Sequence, residues 1–397
     1  MVIMMSEGIV DVRNHLKRII ESSDEKQKEI ADKIGISAAH LSKFLNGQEI
    51  SLWMVLEIVR YLDKDNEVDI MRQCCLEATK KNIKTAFEYA HSKSLDSVTC
   101  MLLNKTLDGN NRELKEWAIV YQWQLWSKHN RVYSEVDYLE MLKELQPNSD
   151  DLKTLLQILE MLCFYYSEKY DLSLHYIRKI HNMLPEMKDP FIKKAFLSRT
   201  DEALANMYLK FENEIDKSRR IAEKLIERNF SVNSVTNGYF ILGLSYLFES
   251  YEQTSNFLNK GIQLNNTKER YFVANDLREQ LAITNLFWNR PVPEEYIVTD
   301  FIKSVVNKAN LKYFYDDKYY SALAFYFDGR REKNQEKLLL SLHVFGEKKD
   351  YFRANLPKME LLKLGVDYNI LKREVKIGEK DNYRSFDYFS NSTSICF

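Results

Sequence analysis

Apolar positions recur at helical spacing through most of the chain. Val12, Leu16, Ile19 and Ile20 form a first stripe. Ile30, Ala31 and Ile34 make the inner face of a short helix. Gly35 follows it, as expected of the residue that best tolerates the left-handed conformation of a helix end. Ile36 then enters the core, and Ser37 stands where it can cap the next helix. That helix turns Leu41, Phe44 and Leu45 inward and ends near Asn46-Gly47. Ser51 can cap a third, with Leu52, Val55, Leu56, Val59 and Leu62 inward. Two short helices about a Gly-containing turn make a helix-turn-helix. The polar run Asp63-Lys64-Asp65-Asn66 marks a boundary.

From about Asp69 the pattern is helix after helix, broken by short polar stretches such as Asp108-Gly109-Asn110-Asn111 and Gln146-Pro147-Asn148-Ser149. The clearest unit runs from Tyr239 to Leu264. Tyr239, Leu242, Gly243 and Tyr246 stand at the spacing of a tetratricopeptide signature, and Tyr251, Thr254 and Leu258 continue on a partner helix. Weaker copies carry Tyr166 and Tyr170, and Tyr208 and Ala222. Tyr166, Tyr208 and Tyr246 are 42 and 38 residues apart, a period that fits stacked helical hairpins. The expected fold is therefore all-α: an N-terminal helix-turn-helix followed by a right-handed superhelix of degenerate tetratricopeptide-like hairpins. The expected division is residues 1–62 as a DNA-binding head, 63–68 as linker, 69–371 as the repeat region and 372–397 as a tail without an assigned role.

Composition narrows the alternatives. With Gly 11 and Pro 6, turn-rich all-β folds and Pro/Gly-rich disorder are disfavoured. The net charge of −1 leaves no bulk positive field, so any nucleic-acid contact must be local. No apolar run is long enough for a membrane span, and the first residues do not read as a signal peptide. The five cysteines, Cys74, Cys75, Cys100, Cys163 and Cys396, form no CxxC pair and read as reduced cytoplasmic thiols. There is no P-loop, GxGxxG, nucleophile elbow or zinc spacing. No catalytic residue, cofactor or metal is expected.

In a helix-turn-helix the second helix enters the major groove with its N-terminal outward residues at the base edges. Here Ser37 starts that helix, followed by Ala38, Ala39, His40, Ser42 and Lys43. Gln27, Lys28, Lys33, Ser42 and Lys43 suit phosphates, which position a protein without reading sequence. The alanines offer only methyl contacts to thymine. Residues 1–62 carry 8 Lys/Arg against 9 Asp/Glu, a poor balance for phosphate attraction. In the repeats, Asn206, Asn233, Asn237 and Asn275 offer a donor and an acceptor each, which suits an extended peptide backbone; Asn also serves at caps and turns. The aromatic segment Trp117 to Trp126 reads as helix packing.

A repressor-like head with degenerate repeats resembles the cytoplasmic peptide receptors of Gram-positive bacteria. Gly329-Arg330, Glu332, Asn334, Phe345, Asp350, Phe352, Leu356-Pro357, Glu360-Leu361 and Lys363-Leu364-Gly365 resemble the closing repeats of the arbitrium receptors (AimR) of Bacillus phages. So do Gly243, Ser245, Leu247-Phe248 and Tyr251-Glu252, and Asn206 ahead of Glu212-Asn213 and Arg219. The resemblance spans roughly Asp24 to Leu371.

That resemblance implies a phage transcription regulator acting as a homodimer on a double-stranded DNA operator. A short imported signalling peptide containing Arg would bind inside the repeats and end the activation, tipping the lysis–lysogeny decision. By the same resemblance, Asp350 is the charge partner of the peptide's Arg, Phe352 and Leu247 lie at apolar positions, and Asn206 clamps the peptide backbone. The chain departs from the pattern at Leu244, which stands at the family's second clamp Asn, and at Asn233, aligned where relatives carry Arg or a similar polar group. It also looks shorter between Trp288 and Tyr319. Such differences imply a distinct peptide. The usual C-terminal dimer helix corresponds to Leu361 to Leu371. The rival readings are a peptide-regulated transcription factor of a chromosomal or plasmid branch, and a repeat scaffold that sequesters a protein partner.

Overall fold

The computed structural model describes residues 9–130 and 135–367. The expected tail 372–397, the end of the Leu361–Leu371 segment and Cys396 lie outside the described residues. Among these residues there are twenty α-helices and no strand, so the all-α expectation is met. No described helix is long and apolar enough to cross a membrane.

The chain divides into two compact units, Met1–Cys163 with His175–Leu197, and Phe164–Leu174 with Ser198–Phe397. The head comprises α1 (Ile9–Ser22), α2 (Gln27–Ile34), α3 (Ala38–Leu45) and α4 (Leu52–Leu62). The first unit continues through α5 (Glu67–Leu76), α6 (Ile83–Ser92), α7 (Asp96–Leu107), α8 (Arg112–Asn130) and α9 (Glu135–Glu144). Next come α10 (Asp150–Tyr166), α11 (Tyr170–Met183) and α12 (Pro190–Lys210), which contribute residues to both units. The second unit then holds α13 (Ile215–Arg228), α14 (Val232–Ser245), α15 (Tyr251–Thr267), α16 (Tyr271–Phe287), α17 (Asp300–Val306), α18 (Ser321–Glu332), α19 (Gln335–Glu347) and α20 (Asn355–Lys363).

The head forms for local reasons. Gly35 takes φ +73° after α2, and the N–H of Ile36 turns back to the Ala31 carbonyl at 3.0 Å. Ser37 Oγ accepts the His40 N–H at 3.2 Å, which satisfies an orphan donor at the start of α3. Ile30, Ala31, Leu41, Phe44, Val55, Leu56 and Val59 are buried together with Leu16.

The cap on α4 differs from the expected one. Ser51 makes no side-chain cap. The carboxamide of Asn82, thirty residues away, does the work. Its oxygen accepts the Leu52 N–H at 2.9 Å, and its nitrogen donates to the Ile50 carbonyl at 2.9 Å and to Glu49 at 2.7 Å. We therefore expect Asn82→Ala to cost about 1–2 kcal/mol, the price of an orphaned donor and acceptor. Urea unfolding against Ser51→Ala, which should be nearly silent, checks this.

The stretch after α4 is also tied down. His15 Nε2 lies 2.7 Å from Asp63. Glu67 is buried and meets Arg60 Nε at 3.0 Å, Lys93 Nζ at 2.8 Å and the Tyr89 hydroxyl at 3.0 Å. Burial alone would push the Glu67 carboxyl up; Lys93 and Arg60 outweigh it and hold the group below the usual carboxylate range. Trp117 and Tyr121 are fully buried and stacked 6.2 Å apart, which fits the packing reading for the first half of that segment, whereas Trp126 at its end is 47% exposed.

In the second unit α13, α14, α15 and α16 pack in succession as antiparallel hairpins. The tetratricopeptide spacing has a visible cause. A side chain at Gly243 would sit 2.7 Å from Leu258 Cγ on α15, so only glycine admits that approach. Tyr246 stacks under the Arg219 guanidinium at 3.6 Å, and Arg219 also donates to the Ser245 hydroxyl and carbonyl at 2.9 and 2.8 Å. The terminal motif is likewise structural in large part. Arg330 donates to the Leu286 and Phe287 carbonyls at 3.0 and 3.1 Å, closing the C-terminus of α16, and Asn334 caps α19.

Candidate functional site

Two groups of residues stand apart from the packing. The first is the N-terminal end of α3 with the start of α2. Ala39, Lys28 and Lys43 are exposed; Gln27, Ala38, His40 and Ser42 are half-buried. His40 Nδ1 lies 2.9 Å from Ser37 Oγ, so its ring is folded onto the cap. Ser42 Oγ accepts from Asn46 at 3.3 Å. Among the described residues Lys28 and Lys43 are in no ion pair, whereas Lys33 is held by Glu25 at 2.5 Å. Two free ammonium groups therefore flank a helix end that is polar but short of base-reading side chains.

The second group lies within the second unit. Glu202, Asn206 and Lys210 follow one another at four-residue intervals along one face of α12. Asn206 Nδ2 donates to the Glu202 carbonyl at 3.0 Å and to Asn237 Oδ1 on α14 at 3.4 Å. Ser234 donates to the Glu202 carboxylate. Burial pushes that carboxyl up, against the hydrogen bonds from Ser234 and Asn237.

Further along, the Tyr351 N–H donates to the Lys210 carbonyl at 2.8 Å, fastening the 350–353 turn to the end of α12. Asp350 Oδ1 accepts the Arg353 N–H at 3.0 Å, and its other oxygen lies 3.7 Å from Arg353 Nη1, beyond hydrogen-bond length. Arg353 Nη2 donates to Gln280 Oε1 at 3.0 Å. Burial drives the Lys210 ammonium down, Arg353 adds to this, and Asp350 and Glu168 oppose it.

Asn206 and Asp350 are buried, whereas Asn237, Lys210 and Arg353 are half-buried. Tyr166 is 77% exposed, yet desolvation pushes its hydroxyl up, with Glu202 adding to the effect. Tyr170, Phe211 and Tyr351 make an aromatic row with centroid spacings of 5.3 and 6.0 Å.

The residues expected to bind a peptide divide into three sets. Asn206 and Asn237 meet, and Asp350 stands beside Lys210 and Arg353. Asn233 is exposed and holds Arg270, while Asn275 is exposed and accepts from Arg278 at 2.8 Å; neither joins the first pair. Leu244, Leu247 and Phe352 are covered, at 0%, 1% and 1% exposure, in one apolar cluster with Phe248 and Phe287. As core residues they offer a ligand no surface of their own. Lys210, Gln280, Arg353 and Glu202 were not expected. The four-residue spacing of Glu202 and Lys210 about the expected Asn206 was the signal available for two of these positions. A separate groove in the first unit, lined by Ile119, Trp123, Glu140, Met141, Glu144 and Leu145, brings together none of the expected residues.

The sequence profile of the AimR transcriptional regulator-like family matches residues 67–363, from the first residue of α5 to the last of α20. The AimR transcriptional regulator of Bacillus phage SPbeta is 22% identical over 386 residues, covering 91% of this chain and 98% of that protein. The SPbeta prophage-derived uncharacterized protein YopK of Bacillus subtilis strain 168 matches to the same extent. Among solved structures, selenomethionine phAimR aligns with a TM-score of 0.69 at 18% identity, over 91% of this chain and 99% of that one. The phAimR–ligand structure aligns at 0.68 and 19%, over 80% and 98%. At those identities the structural likeness speaks to the fold.

Proposed function

The chain belongs to the AimR transcriptional regulator-like family, and from that premise we propose that it is a peptide-switched, DNA-binding regulator of the lysis–lysogeny decision of a phage. It acts in the host cytoplasm as a homodimer, with the α2–α3 head on an operator and a short Arg-containing peptide held by the second unit. The observation that carries this reading is the pairing, in one chain, of a helix-turn-helix presenting free Lys28 and Lys43 with a second unit in which the amides of Asn206 and Asn237 meet and, one helical turn on, the Lys210 carbonyl fastens the turn that bears Asp350 and Arg353. The ligand-bound phAimR structure, similar over most of the chain, supports a ligand in this fold.

In this reading Asn206 and Asn237 hold the peptide backbone. Asp350 keeps lone pairs open for the peptide's guanidinium, since its own Arg353 side chain stands too far for a hydrogen bond. The peptide changes DNA binding only through its different affinity for the two states of the protein.

The DNA half is tested by fluorescence polarisation with the DNA flanking the gene. Lys43→Glu is expected to weaken binding about tenfold and to lower the salt slope by about one. Unchanged affinity at moderate salt would mean that α3 does not face the phosphates.

A further inference from the structure

We propose that Ala39 reads a thymine methyl in the major groove, so that one base pair of each half-site is selected by apolar contact and not by a hydrogen bond. The inference rests on the DNA-binding reading above and names the base that α3 selects.

Three observations carry it. First, Ala39 leads the outward line of α3. Leu41 and Phe44 are buried in the head, and on the opposite side Ala39, Lys43 and Asn46 are exposed. These three stand at i, i+4 and i+7, one line along the helix. In a helix-turn-helix the N-terminal end of the second helix meets the base edges. At that end the line begins with a bare methyl group. Ala38 before it is half-buried, so the first turn has no long side chain to hold the helix off the bases.

Second, the polar neighbours of Ala39 are turned onto the helix itself. Ser37 Oγ accepts the His40 N–H at 3.2 Å and lies 2.9 Å from His40 Nδ1. A hydroxyl has one hydrogen and two lone pairs; here it closes the cap and holds the imidazole against it. Ser42 Oγ accepts from Asn46 Nδ2 at 3.3 Å. Third, the exposed ammonium groups lie off the reading end. Lys43 is one turn further along α3 and Lys28 is at the second position of α2. Contacts of that kind to phosphate fix the register without reading sequence.

The base is then named by elimination. On the major-groove edge guanine, cytosine and adenine present hydrogen-bonding groups, and thymine adds a C5 methyl. A Cβ hydrogen can complement only that methyl. Ala39 therefore favours thymine over the three other bases, and α3 itself has to come close for the contact to form.

The test uses the full-length protein without peptide and the DNA flanking its gene. Footprinting defines the protected segment, and binding is followed by fluorescence polarisation at fixed salt. Each thymine in the segment is replaced in turn by deoxyuridine, which pairs alike and lacks only the methyl. In the wild type one thymine per half-site is expected to matter, with binding about fourfold weaker on replacement, as for one buried methyl group. In Ala39→Gly the ratio at that position should fall to one, while ratios elsewhere are unchanged. Each ratio is taken within one protein, so the general weakening that glycine brings to a helix cancels. With cytosine at the same position, 5-methylcytosine should restore the preference in the wild type and not in Ala39→Gly.

A wild type indifferent to deoxyuridine throughout the protected segment would overturn the proposal, as would a ratio that survives in Ala39→Gly. If Ala38→Gly abolishes the ratio and Ala39→Gly does not, α3 enters the groove by another face and the assignment to Ala39 falls. If the wild type protects no DNA at all, the DNA-binding reading has failed and the inference with it; a normal footprint without methyl discrimination sinks the inference alone.

Discussion

Asp350→Asn is expected to weaken peptide binding roughly 10- to 100-fold while leaving the DNA affinity of the peptide-free protein unchanged. The range follows from a hydrogen bond to a charged group, about 1.5–3 kcal/mol. Asparagine is chosen because its oxygen can still accept the Arg353 N–H that shapes the 350–353 turn. What disappears is the charge. Asp350→Ala would add a second loss, since it also strands that N–H and leaves Lys210 and Arg353 with less counter-charge. The head is remote in sequence and belongs to the other compact unit. Calorimetry with the peptide and polarisation with DNA, on the same preparation, separate the two effects. A mutant with wild-type peptide affinity would remove Asp350 from the site.

Gly238→Val is expected to destabilise the second unit by about 3 kcal/mol. A Cβ at Gly238 would stand 2.7 Å from Ile226 Cγ1 and 2.8 Å from the Ala222 carbonyl oxygen. The second contact is backbone, so it cannot yield by a rotamer change. Helices α13 and α14 would have to separate, and overpacking of this kind costs about 1–3 kcal/mol or more. Gly346, in the last turn of α19, is the control. Nothing lies within 4 Å of its Cβ position, so Gly346→Ala should gain up to about 1 kcal/mol from helix propensity alone. Chemical denaturation should therefore show opposite signs at two glycines. Equal and small effects would mean that α13 and α14 are packed less closely than described.

Much of the fold was legible because its signals are local. Gly35, Ser37 and the Leu41–Phe44 stripe define the head within a dozen residues, and each behaves as its chemistry requires. Gly243 and Tyr246 were legible for the same reason, one as a close approach and the other as a platform for Arg219. The cap on α4 was not. Asn82 reaches it from thirty residues away, and no local rule links that carboxamide to Leu52.

The site was legible only in part. Asn206 and Asp350 came from resemblance, and Asn237 from the chemistry of its amide. Asn233 and Asn275 are equally plausible by type, but Arg270 and Arg278 occupy their oxygens. Leu244, Leu247 and Phe352 were apolar positions that a sequence cannot sort into wall and surface. Lys210 and Arg353 were hidden for another reason. Lysine and arginine normally lie in solvent, so composition gives no cause to single out these two.

The most direct measurement of the central claim is binding of the purified protein to the DNA flanking its own gene, with and without the peptide encoded beside it. The account predicts tight, salt-sensitive binding that falls away as the peptide is added. Binding that ignores a peptide shown to occupy the second unit, or no binding in either state, would contradict it.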